Sequence, residues 1–199
     1  TPLMYPIKPF LAAFLAAGMT AASSSSTTGT MTASRTKRLV GATHTVTAGL
    51  KGLTFDPDNL VAEVGDIIEW HFFPKNHSVA KSDTYDPCAP TSDGSFFFSG
   101  FDFVTPEGPA DNVFQITIKD KQPIWYYCAQ NAGQHCKNGM VGVINQPPVN
   151  DAFHLEKHKA LAAQKNDSII PPSQKGGVVS SRPNDITGIT ERRIISRGS

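Results

Sequence analysis

Between His44 and Asn145 the apolar residues come in short runs, each closed by Gly, Pro, Asn or Asp, and no convincing helical period separates them. Leu60–Val64 leads into a Gly65-Asp66 turn. In the run that follows, Ile67–Phe73, residues Ile68, Trp70 and Phe72 share one face. Phe114, Ile116 and Ile118 alternate with Gln115 and Thr117, the pattern of a half-buried strand. Ile124–Cys128 and Met140–Ile144 are β-prone apolar runs. Strands at this spacing predict an all-β domain, an antiparallel sandwich or barrel of about a hundred residues. Residues 80–112 break the rhythm and are expected to form a long functional loop. Phe96, Phe97, Phe98, Phe101 and Phe103 crowd it. They form either an exposed docking patch or a satellite cluster beneath the loop.

The flanks differ in texture. Lys8, an apolar run Pro9–Met19 and the small residues Thr20-Ala21-Ala22 read as an export signal over residues 1–22, the other reading being a core helix. The run is too short to span a bilayer. Residues 23–42 form a Ser/Thr-rich, low-complexity segment open to O-glycosylation. The β domain is placed at 43–148. A short helix is expected over 149–164, capped by Asn150 or Asp151 and carrying Phe153, Leu155 and Leu161 as its apolar positions. His154 and His158, four apart on it, are read as a solvated face, the other reading being a weak metal pair. Residues 165–199 lack any sustained pattern and are expected to be disordered. Within them, Asn166-Asp167-Ser168 is a glycosylation sequon, with Asn166 the acceptor. Eighteen basic against seventeen acidic side chains, with no basic run among aromatics, argue against nucleic acid as a partner. A monomer is expected.

Export would place the chain in an oxidising compartment, where three cysteines is an informative count. An odd cysteine implies a free thiol, an intermolecular bridge or a thiolate otherwise occupied, and one disulfide plus one metal-bound cysteine resolves the arithmetic. Tyr127–Met140 offers a thiolate (Cys128), an imidazole (His135) and a thioether (Met140) at a strand end and in the loop after it. This soft donor set suits copper better than magnesium or calcium, and a mononuclear site of two imidazoles, a thiolate and a weak thioether lacks only one more histidine. His77, at the end of the Trp70 strand, is the natural source. Taken singly, each has an ordinary reading: His77 beside a turn, Cys128 as a small buried hydrophobe, Met140 as core. Their joint occurrence in this order favours ligation.

Asn76-His77-Ser78-Val79, then a cysteine, then Tyr127-Cys128, His135-Cys136 and Gly139-Met140 resembles the cupredoxin family, in particular plant phytocyanins and the secreted serine-rich cupredoxin-like proteins of fungi. The resemblance runs from about His44 to Asn145 and includes Val64-Gly65-Asp66 and Pro123-Ile124-Trp125. It implies a Greek-key β-sandwich holding one copper ion through His77, Cys128, His135 and Met140, with a Cys88–Cys136 disulfide. Six residues separate Cys128 from His135, more than in the phytocyanin pattern. Backbone amides near Asn76 and His77 are expected to tune the cysteine sulfur.

The function expected is electron transfer by a secreted protein, free or associated with the cell wall, with an unidentified redox partner or cell-surface component. The alternative keeps the sandwich as a non-redox surface module. An enzyme is not expected. The six histidines include no His-x-His pair of the kind a multinuclear copper oxidase needs, and cleavage after Arg38 would not expose an amino-terminal histidine.

Overall fold

The computed structural model describes residues 41–148 and 153–183. The elements are β1 (Thr43–Ala48), β2 (Phe55–Asp56), β3 (Asn59–Leu60), β4 (Ile67–Phe72), β5 (Ala80–Ser82), β6 (Asn112–Thr117), β7 (Ile124–Tyr127), β8 (Val141–Ile144), α1 (Leu155–Ala162) and β9 (Val178–Ser181). They build two sheets, one ordered β2-β1-β4-β6-β9 and the other β3-β8-β7-β5.

The period-two pattern accounts for the space between them. Val46 and Ala48 of β1, Ile68, Trp70 and Phe72 of β4, and Phe114 and Ile116 of β6 meet Tyr126 and Ile144 of the other sheet in one buried cluster. The intervening polar positions stay on the other face, where Glu69 takes hydrogen bonds from His71 and, across the β4–β6 ladder, from Gln115. The β-sandwich is as expected, but its sheets are mixed rather than antiparallel throughout. The pairs β1–β4 and β3–β8 are parallel, because the chain visits the second sheet at β3 before returning to the first.

The second sheet is covered on both faces, as its unbroken apolar runs permit. Trp125, Tyr127, Val141 and Val143 point away from the first sheet, into a second cluster with Phe98, Leu155, Ala162 and both cysteines of the Cys88–Cys136 bridge. The loop over 80–112 supplies part of this cover and is more structured than expected. It opens with β5, and Phe98 bridges both Ala80 and Lys175. Phe97, Phe98 and Phe103 are buried, while Phe96 and Phe101 pack against the second cluster. The satellite cluster, not the exposed docking patch, is what forms.

Other expectations shift at their edges. Only Asn59–Leu60 pairs as a strand, and Val61 and Val64 beyond it are exposed. The helix spans Leu155–Ala162, with His154 at its N-cap making no side-chain cap. Asn150 and Asp151 lie outside the described residues. His158 is not solvated. It is buried against Trp125, with ring centroids 4.6 Å apart, while Nδ1 donates to the Thr84 carbonyl at 3.0 Å and Nε2 lies 3.4 Å from Ser82 Oγ.

Residues 165–183, expected to be disordered, are instead laid onto the sandwich. Ile169 N–H donates to the Cys88 carbonyl, and β9 pairs with the edge of β6 that would otherwise be open. Sparse apolar content concealed a segment held by backbone pairing. The proposed export signal, the Ser/Thr-rich segment as far as residue 40, and residues 184–199 lie outside the described residues. Among the described residues no helix is long and apolar enough to cross a membrane.

Candidate metal centre

Three chain segments meet at one pole of the sandwich. After β4 ends at Phe72, residues 73–79 carry His77, with Lys75 in a left-handed conformation at φ 90°. Cys128 immediately follows β7. His135 lies in the loop from 129 to 140, and Met140 immediately precedes β8.

The long loop folds as a series of tight turns. Gln134 N–H donates to Asn131 O, Asn138 N–H to Gln134 O, and Gly139 N–H to Cys136 O. Gly133 and Gly139 take positive φ values of 82° and 94°, which their missing Cβ permits. Met140 N–H donates to His135 O and Cys128 N–H to Met140 O, both at 3.0 Å, so backbone hydrogen bonds link the three donors of this segment in series. The Cys88–Cys136 disulfide ties the residue after His135 to the long loop and leaves Cys128 as the free, buried thiol.

The potential ligand atoms of His77, Cys128 and His135 lie within 4.8 Å of one another. Cys128 Sγ is 3.4 Å from His135 Nδ1, and the two imidazole centroids are 4.7 Å apart. All three are buried, and Met140 is fully buried in the same core cluster as Cys128. Both ring nitrogens of His77 are buried without a hydrogen-bond partner. Such a group is costly in a packed interior unless something else engages it. The donor set and this unpartnered imidazole fit a soft metal ion.

Burial and the neighbouring His135 lower the His77 pKa to about 4. Burial, then the charge of Lys75, also lowers that of His135. Burial raises the Cys128 thiol, against the opposing pull of the Gln130 and Ser78 amides and the Ser78 hydroxyl. Metal-free, the site therefore holds neutral imidazoles, already in the ligating form, and a thiol that must release its proton to bind.

The backbone amide expected near His77 to engage the sulfur is that of Ser78, while the Ser78 hydroxyl and Gly49 were missed from sequence. The sulfur's donors belong to Ser78, whose amide lies 3.4 Å and hydroxyl 3.9 Å from Cys128 Sγ; the same hydroxyl accepts from Ala129 N–H at 3.0 Å. Asn76 instead offers its carbonyl to Gln130 Nε2 at 3.3 Å. Gly49, at the end of β1, packs directly against the His77 ring. The remaining histidines stand apart: His44 binds Asp66, His71 binds Glu69, His154 is the N-cap residue of α1, and His158, on α1, is buried against Trp125. Asn166 is exposed, its backbone carbonyl accepting from Gln134 Nε2.

No family model matches the chain. An extracellular serine-rich protein of Arthroderma benhamiae is 34% identical over 134 residues, 67% of this chain and 50% of the relative, so the chain spans half the length of that protein. A probable GPI-anchored cupredoxin of the same organism is 29% identical over 151 residues, covering 70% of this chain and 75% of the relative. Among solved structures, a pseudoazurin from Sinorhizobium meliltoi aligns at 18% identity and TM-score 0.34, over 62% of this chain and 92% of its own. An auracyanin from Roseiflexus castenholzii aligns at 16% identity and TM-score 0.38, over 54% of this chain and 100% of its own.

Topology and site define the class: a two-sheet β-sandwich with two imidazoles and a thiol converging at one pole, beside a buried thioether. With the curated relatives beside them, one of them named a cupredoxin, assignment of the chain to the cupredoxin family is supported.

Proposed function

We propose that this protein is a mononuclear copper protein that carries single electrons outside the cell, without enzymatic activity of its own. The observation that carries this reading is the buried His77 imidazole, unpartnered at both nitrogens and facing a free thiol and a second imidazole. His77, Cys128 and His135 would hold the ion, with Met140 as a weak fourth donor. A bound copper ion supplies the one-electron redox chemistry.

The chain supplies the surroundings. Burial keeps water from the donors, and the backbone hydrogen bonds from Cys128 to Met140 and from Met140 to His135 restrain their relation, so little nuclear rearrangement accompanies a change of charge. The Ser78 amide donates toward the sulfur, stabilising thiolate charge. The names of the two relatives, one extracellular and one GPI-anchored, support a place at the cell surface or beyond it. N-glycosylation at the exposed Asn166 fits that location.

Equilibrium dialysis against Cu(II), with the disulfide intact, tests the assignment. One tightly held ion per chain, lost in Cys128→Ser, is expected. Equal binding by both proteins, or none by either, would overturn it.

A further inference from the structure

The segment 165–169 touches the loop between Cys128 and His135 and the residues beside those two donors. Ser168 N–H donates to Asn131 Oδ1 at 2.7 Å, and Gln134 Nε2 donates to the Asn166 carbonyl at 3.3 Å. Both Asn131 and Gln134 lie in the loop between Cys128 and His135. Tyr127, next to Cys128, donates its hydroxyl hydrogen to the Ile169 carbonyl at 2.6 Å. Ile169 N–H in turn donates to the carbonyl of Cys88 at 2.7 Å, whose disulfide partner follows His135. Lys165 pairs with Asp86, two residues from that same cysteine. Ser168 is buried although its neighbours Asp167 and Ile169 are exposed, so the contact is a seated one.

We propose that residues 165–169 are a clamp on the ligand loop, with Asn131 the positioning residue through which the clamp holds Cys128 and His135 in register. A loop of this length between two donors loses more conformational freedom on ordering than a shorter one, and hydrogen bonds from outside the loop offset that loss. Asn131 Oδ1 is well suited to this. It binds the clamp, while the carbonyl of the same residue accepts the Gln134 amide inside the loop. The inference that the clamp orders the loop stands on geometry alone, while its effect on copper rests on the function proposed above.

The test uses the full chain with its disulfide intact, in two forms. In the metal-free protein, Asn131→Ala should speed amide hydrogen exchange at His135 and Met140 about fivefold, the change expected for loss of one ordinary hydrogen bond. Asn131→Asp, which keeps the acceptor, should restore the slow rate. Ser168→Pro, which removes the donor from the other side, should reproduce the Asn131→Ala result and stands in for it if that variant does not fold. In the Cu(II)-loaded protein, release to excess EDTA should accelerate by a similar factor in the first and third variants only. Wild-type exchange rates in both Asn131→Ala and Ser168→Pro would overturn the clamp. A wild type that takes up no copper, with exchange still accelerated in the variants, would support the clamp while refuting the copper assignment.

Discussion

His77 is seated on a glycine. An ideal Cβ built on Gly49, whose φ is 94°, would fall 2.2 Å from His77 Nε2 and 2.5 Å from Cδ2, so any side chain there must push the ring away. Gly49→Ala should weaken Cu(II) binding at least tenfold, measured by competition with a chelator of known affinity. The same substitution should also cost metal-free stability, about 1–2 kcal/mol from placing a Cβ in a left-handed conformation and more from displacing the buried ring. Unchanged copper affinity would mean that the ring position is set elsewhere. At this scale the ligating residues were readable because thiol, imidazole and thioether seldom cluster by chance in so short a stretch. Gly49 and the Ser78 hydroxyl were not, since a glycine at a strand end and a serine side chain after a histidine acquire their roles only once β1, β4 and β7 end at the same pole.

Among the elements, β7 and β8 are buried on both faces, and α1 exists to cover one of them. Its His158 illustrates what a periodicity argument misses. Spacing from His154 put it on a helix face, but which face is buried was decided by Trp125, Ser82 and the Thr84 carbonyl, all remote in sequence. Burial lowers its pKa to about 4 from an ordinary value of 6.5. The unfolded chain thus binds a proton between those values that the folded chain refuses. The stabilisation is fully present above pH 6.5 and is lost as pH falls toward 4. Urea unfolding of the metal-free protein across this window should show stability rising with pH, and His158→Gln should flatten the slope by up to about 1.4 kcal/mol per pH unit. Identical slopes would place that proton on another group. Strand β9 escaped the sequence for a related reason. Its pairing partner β6 lies more than sixty residues earlier, and Val178–Ser181 has only two apolar side chains to announce it.

On the scale of the whole molecule, the alternation in Ile67–Phe72 and Asn112–Thr117 was enough to call a sandwich, because each fixes which side chains face a common core. It could not reveal parallel pairing of β1 with β4, which depends on where β3 goes. The sandwich brings His77, some fifty residues from Cys128, to the same buried end, and the central claim is that this end holds copper through a cysteine thiolate. Visible absorption with electron paramagnetic resonance on the Cu(II)-loaded full chain tests that most directly. An intense thiolate charge-transfer band, abolished by Cys128→Ser and shifted by Met140→Gln, is the predicted result. A colourless protein whose resonance spectrum is that of nitrogen- and oxygen-bound copper, unchanged by Cys128→Ser, would contradict it.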